Sequence, residues 1–218
     1  MFKSEKKYAH LTIAVSVLLL ILLQPALVFG EGQDLGDLHH LRAEVKAEKE
    51  QKILEAASVL KQQIMAEKFK QVNGKLEDYA AMKFSEYVLE ASRAFGIDPF
   101  LIASIMIKES HVKYKAKSRS AAYGLMQINW KVHRKNITST FSQIQDLSDV
   151  IQPRNNILVG TYIFYSYLNA SKGDVSKALS RYLGSRGTRY IATVLKHHND
   201  MAKTYTSRID TVISERVS

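Results

Sequence analysis

A short apolar segment that ends in a single acid restricts the fold of this chain more than any other stretch. Residues 101–110 read Leu-Ile-Ala-Ser-Ile-Met-Ile-Lys-Glu-Ser, and Asp98-Pro99 stands just before them. An aspartate followed by proline is typical of a helix start, because the aspartate can cap the helix and the missing proline N–H costs nothing there. Glu109 falls four residues after Ile105, on the same helical face. We therefore predict a helix that carries Glu109 beside apolar neighbours.

Glu109 is also the only acid between Asp98 and Asp146. Burial beside apolar side chains disfavours the charged form of a carboxyl group and raises its pKa, so such a group can act as a general acid near neutral pH. The residues of this segment leave a second interpretation open. In it, Glu109 ends the helix, faces water and pairs with Lys108 or Lys113.

The sequence after Glu109 favours the first interpretation. The blocks that matter are Glu109-Ser110, then Ala116 and Ser118 before Gly124-Leu125-Met126-Gln127, then Pro153 with Asn156-Ile157-Leu158-Val159-Gly160, and finally Ala178-Leu179-Ser180-Arg181-Tyr182. In this order and at these intervals they resemble the catalytic domain of the soluble lytic transglycosylase (SLT) family, a relative of goose-type lysozymes. The resemblance covers about residues 95–195, and four ordered blocks are far more specific than one short motif.

The resemblance implies an all-α, lysozyme-like helical domain that cleaves peptidoglycan, with no cofactor. It also implies the roles of the site residues. They are Glu109 as the catalytic residue; Ser110, Ser118, Gly124, Met126, Gln127 and Tyr182 as substrate-binding residues; and Asn156 and Gly160 as structural residues near the site. The chain departs from the family pattern at two positions: Ala121 stands where a glycine is usual, and Leu183 where an asparagine is usual.

The resemblance further implies how one carboxyl group would cleave the β-1,4 bond between N-acetylmuramic acid and N-acetylglucosamine. Glu109 would first protonate the glycosidic oxygen and then accept the proton of the sugar's own 6-hydroxyl, which gives a 1,6-anhydro product. Tyr182 would orient Glu109 or the sugar through its hydroxyl. Two alternatives stay open: a lysozyme-type hydrolase, which needs a second carboxylate near Glu109, and a non-catalytic cell-wall-binding module.

Elsewhere apolar residues recur at intervals of three and four, and no segment alternates as a strand does. The pattern predicts an all-α architecture in which a long amphipathic helix precedes the lysozyme-like domain. The predicted helices are residues 38–72, 76–95, the helix of Glu109, a short helix near 125–132, residues 153–168, a helix capped by Asp174, and residues 188–205. Residues 110–123 are predicted to form a loop that lines a cleft.

The N-terminal residues predict export. Three lysines precede an apolar run from Leu11 to Leu23, and Gly30 offers a small residue for cleavage, as in a secretory signal peptide. The alternative is an uncleaved membrane anchor through residues 11–29, because the run is short for a full span. We therefore divide the chain into residues 1–30 as signal peptide or anchor, 31–74 as a charged helical segment, and 75–218 as the catalytic domain. The expected location is periplasmic or cell-envelope associated, inner-membrane anchored or secreted.

Charge and composition limit the kinds of molecule that this chain is expected to bind. Residues 99–218 contain 18 Lys and Arg against 7 Asp and Glu, whereas residues 31–98 contain 10 against 13. A basic domain is attracted to a polyanion, and for an exported protein peptidoglycan fits better than nucleic acid, for which we predict no role. The chain has no cysteine, which excludes disulfides and thiol chemistry, and its adjacent histidine pairs are poorly placed for a metal, so we predict no metal site. The helix of residues 38–72 could bind a protein partner.

Overall fold

The computed structural model describes residues 35–217, with side chains from 39 to 215. Eight helices and one small hairpin make up this part of the chain. They are α1 (Leu35–Val72), α2 (Asp78–Phe95), α3 (Pro99–Ser110), β1 (Ala122–Tyr123), β2 (Ile128–Asn129), α4 (Trp130–Thr140), α5 (Leu147–Val150), α6 (Pro153–Ala170), α7 (Val175–Leu183) and α8 (Thr188–Val217). The predicted all-α fold is confirmed. The predicted export segment, residues 1–30, lies outside the described residues.

The chain divides into two compact units, Met1–Lys46 and Ala47–Ser218. The described part of the first unit is helical and belongs to the N-terminal end of α1. All the residues of the site lie in the second unit. Within residues 35–217, no helix is both long enough and apolar enough to cross a bilayer.

Helix α3 lies at the centre of the second unit. Its start is the one predicted: the Asp98 side chain caps the helix by accepting a hydrogen bond from the Phe100 N–H at 2.8 Å, and Pro99 follows. Nine of its 12 residues are buried, namely Phe100 to Ile107 and Ser110. Burying one large apolar side chain stabilises a fold by about 1.5–3 kcal/mol. The apolar segment that predicted a buried helix therefore forms a central part of the core. Glu109 is held in place because it lies near the C-terminal end of this helix.

The other helices pack against α3 directly or through one another. Helices α2 and α8 pack directly against it, α6 packs against α2, and α7 lies between α6 and α8. The second half of α1 also joins the core through Leu60, Ile64 and Phe69, whereas Leu54, earlier on the same helix, is exposed. The amphipathic face of α1 is therefore buried mainly over its last four turns.

The segment between α3 and α4 forms the wall of a cleft. Strands β1 and β2 pair antiparallel, with Ala122 opposite Asn129 and Tyr123 opposite Ile128. The short helix predicted near residues 125–132 is wrong. Gln127 has a φ of +48°, which a right-handed helix cannot contain, and α4 begins only at Trp130. The tight turn needed between the two strands overrides the local helical pattern.

Three further differences from the sequence prediction concern helix length and number. Helix α8 continues to Val217 rather than ending near Tyr205, and α2 starts at Asp78 rather than at Leu76. Helix α5 has only four residues and too short a pattern to be recognised. Its start is nevertheless well defined, because Asp146 and Asp149 form a capping box.

Candidate active site

Glu109 lies in the last turn of α3, where the helix leaves the core and meets a cleft. Its side chain is half-buried among the apolar residues of the core. This burial raises the pKa of the carboxyl group, while a hydrogen bond from Tyr190 and the charge of Lys108 act in the opposite direction; burial is the larger effect. The group therefore holds its proton to higher pH than an exposed glutamate does.

Tyr190 is the closest polar partner of Glu109. It lies near the start of α8, is 7% exposed, and its hydroxyl donates to Glu109 Oε1 at 2.5 Å. Burial and the neighbouring carboxylate raise the pKa of Tyr190 far above its usual value, so the hydroxyl remains a donor. Within the described residues no other hydrogen bond reaches Glu109, so Oε2 has no protein partner.

A cavity of about 290 Å³ opens beside Glu109. This volume lies near the lower end of the range for small-molecule sites, about 300–1,000 Å³. Its wall is polar on several sides and contains Glu109, Ser118, Ser120, Ala122, Gln127, Ile128, Asn129, His133, Ile163, Tyr182 and Leu183. Glu109 is the only carboxyl group among these residues, so any acid–base step in this cavity has a single carboxylic acid at its disposal.

The turn of Gly124 to Gln127 builds one wall of the cavity. Gly124 has a φ of +79°, and a Cβ atom there would lie 2.4 Å from the Asn156 amide nitrogen, so only glycine fits. Within the turn, Leu125 and Met126 are fully buried. Gln127 adopts a φ of +48°, and its amide donates to the Gly124 carbonyl at 2.9 Å. Buried side chains and this hydrogen bond therefore fix the conformation of the turn, and Gln127 lies in the cavity wall.

Asn156, on α6, is the anchor of this turn. Its Oδ1 accepts from the Met126 N–H at 2.8 Å, and its Nδ2 donates to the carbonyls of Tyr123 at 3.1 Å and Val150 at 3.0 Å. Gly160 lies one turn further along α6, where an added Cβ would lie 2.4 Å from the Met126 Cβ. Both residues hold the floor of the site and neither lines the cavity.

Several backbone positions around the site are strained. His111 and Val112 follow α3 with φ values of +51° and +59°, and Ala121 and Gln127 also have positive φ. Only one other non-glycine residue with positive φ, Lys172, occurs elsewhere in residues 35–217. A positive φ is costly for a β-branched residue such as Val112, and strain of this kind concentrates at functional sites.

The structure brings Glu109, Ser118, Gln127 and Tyr182 together in the cavity wall, as the sequence suggested. It does not bring Ser110, Gly124 or Met126 to that wall. The Ser110 hydroxyl is buried and donates to the Met106 carbonyl at 3.1 Å, and Gly124 and Met126 are buried under the turn. These three residues therefore contribute to packing around the turn and do not form part of the cavity wall.

The sequence suggested that the Tyr182 hydroxyl orients Glu109 or the sugar, and in the structure it does not bond to Glu109. The Tyr182 hydroxyl donates to the Met126 carbonyl at 2.8 Å, while Tyr190 makes the bond to Glu109. The sequence reasoning missed Tyr190 because no short motif surrounds it. Its spacing offered a signal, since Tyr190, Val194 and Met201 recur at helical intervals and all three are buried on one face of α8.

His133 and Asn129 are two further wall residues that the sequence did not indicate. Asn129 caps α4 by accepting from the Val132 N–H at 3.3 Å, and His133 follows one turn later on the same face. Burial lowers the pKa of His133, so its imidazole is neutral at neutral pH. A neutral imidazole can donate or accept a hydrogen bond, as can the Asn129 amide.

Within residues 35–217 no group of three or more His, Asp or Glu side chains is placed to hold a metal ion.

The family model described as Transglycosylase SLT domain matches residues 86–205, more than half of the chain. The matched region contains every residue of the cavity wall, together with Tyr190 and Asn156.

Proposed function

The chain belongs to the transglycosylase SLT domain family, and from that premise we propose that Glu109 alone serves as acid and then as base in the non-hydrolytic cleavage of peptidoglycan. Membership of the family implies a transglycosylase of the lyase kind that acts on peptidoglycan and works outside the cytoplasm. We propose in addition which residues carry out the reaction and which product they form.

One observation supports this mechanism more than any other. Glu109 is the only carboxyl group in the wall of the cavity, and burial raises its pKa. Glycosidases that use two carboxyl groups hold them about 5–5.5 Å apart when they retain configuration and about 6.5–9.5 Å apart when they invert it. Within the described residues the cavity wall contains no second carboxylate, which argues against the hydrolase alternative.

The first step uses Glu109 as a general acid. Its proton passes to the oxygen that bridges N-acetylmuramic acid and N-acetylglucosamine, the bond from this oxygen to the anomeric carbon breaks, and Glu109 is left as a carboxylate. The 2-acetamido oxygen of the muramic acid residue can stabilise the resulting cationic centre in place of a second carboxylate. The Tyr190 hydroxyl, 2.5 Å from Oε1, stabilises the new carboxylate and keeps its orientation.

The second step uses the same carboxylate as a base. The 6-hydroxyl of the muramic acid residue attacks its own anomeric carbon, and Glu109 accepts the proton that this hydroxyl releases. The product contains a 1,6-anhydro ring, no water is consumed, and Glu109 regains its starting form. Because the nucleophile belongs to the substrate, it also gains the high effective concentration of an intramolecular reaction.

The polar wall residues are suited to hold the sugar for these steps. Gln127, Asn129 and Ser118 line the cavity, and their side chains contain both donor and acceptor groups. We assign them, with Tyr182, to substrate binding. Asn156 and Gly160 fix the turn beneath them.

The test is the cleavage of purified sacculi by the wild-type chain and by Glu109→Gln. A single group that acts as acid and base contributes about 10²–10⁴-fold in each role, so we expect the Gln variant to lose at least 10³-fold in rate. Glu77→Gln is the matched control, because Glu77 is exposed and outside the cavity. Mass spectrometry of the released muropeptides reports the product.

Anhydro products, one water lighter than hydrolysis products, are expected. Products that contain the added water would reject the second step and support the hydrolase. Unchanged cleavage by Glu109→Gln would remove this residue from the mechanism, and glycan binding without cleavage by the wild-type chain would support a wall-binding module.

We also propose that residues 1–30 direct the chain out of the cytoplasm, either as a cleaved signal peptide or as an anchor through residues 11–29. The basic start and apolar run in the sequence support this. The mass of the mature protein isolated from its host distinguishes the two, because cleavage after Gly30 removes the first 30 residues.

A further inference from the structure

A second cavity lies on the other side of α4 from the Glu109 cavity. Its volume is about 320 Å³, and Trp130, Arg134, Lys135 and Asp146 form part of its wall. Trp130 and Arg134 are one turn apart, so they share a face of α4. None of the residues that line this second cavity lines the first. The second cavity is therefore a separate site with its own chemistry.

The two cavities nevertheless meet at the start of α4. Asn129 belongs to the wall of the Glu109 cavity, and Trp130, the next residue, belongs to the wall of the second. Their Cα atoms are about 3.8 Å apart, as in any trans peptide. A molecule bound in one cavity can therefore reach the other by passing over the first turn of a single helix.

The wall of the second cavity contains cations that the protein itself leaves unpaired. Within residues 39–215 neither Arg134 nor Lys135 forms an ion pair, although many of the other charged side chains do. Both are exposed at the cavity surface, beside the half-buried indole of Trp130. Arginine binds carboxylates through two parallel hydrogen bonds, and an indole face covers aliphatic groups or a cation.

Asp146 adds an opposite charge to the same wall. Hydrogen bonds from the Ser148 side chain and the Asp149 backbone lower the pKa of Asp146, so it remains an anion. A cavity with two cations, one anion and an aromatic ring does not match a uniformly anionic polymer. It matches a short peptide that carries carboxylates together with an amine.

We propose that this second cavity binds the peptide that branches from the glycan while the glycan lies against Glu109. The inference rests on the proposed function, because it is peptidoglycan that joins such a peptide to the sugar beside the scissile bond. Arg134 and Lys135 bind carboxylates of the peptide. The peptide also contains a diamino acid, and Asp146 accepts a hydrogen bond from its side-chain amine. Trp130 covers the aliphatic part of the peptide between the carboxylates and this amine. An extended peptide advances about 3.3–3.6 Å per residue, so about three residues span the 10–12 Å width of a helix.

The chain contains a built-in reporter for this site. Trp130 is its only tryptophan, so tryptophan fluorescence excited where tyrosine contributes little comes from a residue in the wall of the second cavity. The first experiment titrates the full chain with the soluble stem tripeptide of peptidoglycan. A saturable change in emission is expected.

Two variants sharpen this titration. The double variant Arg134→Gln with Lys135→Gln removes both cations while keeping good helix formers. We expect its Kd for the tripeptide to rise about tenfold, because two exposed ion pairs are lost and each contributes only modestly to binding. Lys131→Gln is the matched control, because Lys131 is an exposed cation on α4 outside both cavities. Its Kd is expected to equal that of the wild type. Far-UV circular dichroism checks that all three chains are folded.

Three results of the titration would overturn the proposal. One is the absence of a saturable change, another is an equal loss in Lys131→Gln and the double variant, and the third is a change produced by peptide-free N-acetylglucosamine oligomers instead of the tripeptide. The last result would make the cavity a glycan subsite.

The second experiment measures cleavage of glycan strands with their peptides and of the same strands after an amidase has removed them. The double variant is expected to have a KM about tenfold higher on the peptide-bearing strands and unchanged kinetics on the stripped ones. An equal effect on both substrates would reject the peptide site. If the wild-type chain cleaves neither substrate, the proposed function fails while the fluorescence titration still decides the fate of the peptide site.

Discussion

Replacement of Asn156 by alanine tests the link between the core of this protein and its active site. Asn156 is fully buried, and its amide group makes three hydrogen bonds. They join α6 to the Met126 N–H, to the Tyr123 carbonyl and to the Val150 carbonyl, which lie in two other segments of the chain. Alanine removes all three bonds at once without changing the helix propensity for the worse.

The magnitude follows from what the substitution leaves behind. Met126 and Val150 are fully buried, so one N–H and one carbonyl lose their partners inside the protein. Each unsatisfied buried group costs about 1–3 kcal/mol. The Tyr123 carbonyl belongs to a half-buried residue that water can reach, and a water molecule entering the vacated space offsets part of the loss. We expect a loss of about 3 kcal/mol in the free energy of unfolding.

Urea unfolding followed by far-UV circular dichroism measures this loss. In a domain of this size about 3 kcal/mol corresponds to a decrease of roughly 6–12 °C in Tm. The neighbouring Asn155→Ala is the matched control, because Asn155 is half-buried and makes one side-chain hydrogen bond, to the Asp149 carbonyl at 3.0 Å. It should lose about 1 kcal/mol. If Asn156→Ala loses no more than Asn155→Ala, Asn156 does not anchor the turn as described.

Two further substitutions examine the site from either side. Gly160→Ala is expected to lower the free energy of unfolding by about 1–3 kcal/mol, because the new Cβ would lie 2.4 Å from the Met126 Cβ. In a helix without such an obstruction, alanine is more stable than glycine, so a gain of stability in urea unfolding would contradict this prediction. Tyr190→Phe is expected to lower kcat/KM about tenfold or more, because it removes the donor to Glu109. This bond lowers the pKa of Glu109, so its loss raises that pKa further, and the decline of kcat/KM with rising pH, which follows deprotonation of the acid, should move to higher pH. A decline at unchanged or lower pH would show that Tyr190 does not act on Glu109.

Much of the fold could be predicted because local signals and tertiary packing agree. Asp98-Pro99 starts α3, Asp174 caps α7 through the Lys177 N–H, and Lys172-Gly173 forms the turn between α6 and α7. In each case the residue that stops or starts the helix acts on backbone groups within a few positions of itself. Such effects need no knowledge of the remaining chain.

The segment of residues 110–132 was less predictable because distant residues determine its shape. Gln127 occupies a left-handed conformation that its type does not favour, and Asn156 holds the turn from 30 positions away. The sequence therefore suggested a short helix near residues 125–132, where the structure begins with a turn and a strand. The competing influence was a long-range hydrogen bond, which outweighed local propensity.

Taken alone, the amino-acid sequence determined that this is an all-α protein of a wall-cleaving family and that Glu109 is its leading candidate acid, since helical periodicity and ordered motifs are properties of neighbouring residues. Only the tertiary structure decided what surrounds that acid. It placed the Tyr190 hydroxyl, 81 positions away, against Glu109, directed Tyr182 to a backbone carbonyl instead, and set a second cavity beside the first. These contacts depend on how α3, α4 and α8 pack, and packing joins residues that no local pattern connects.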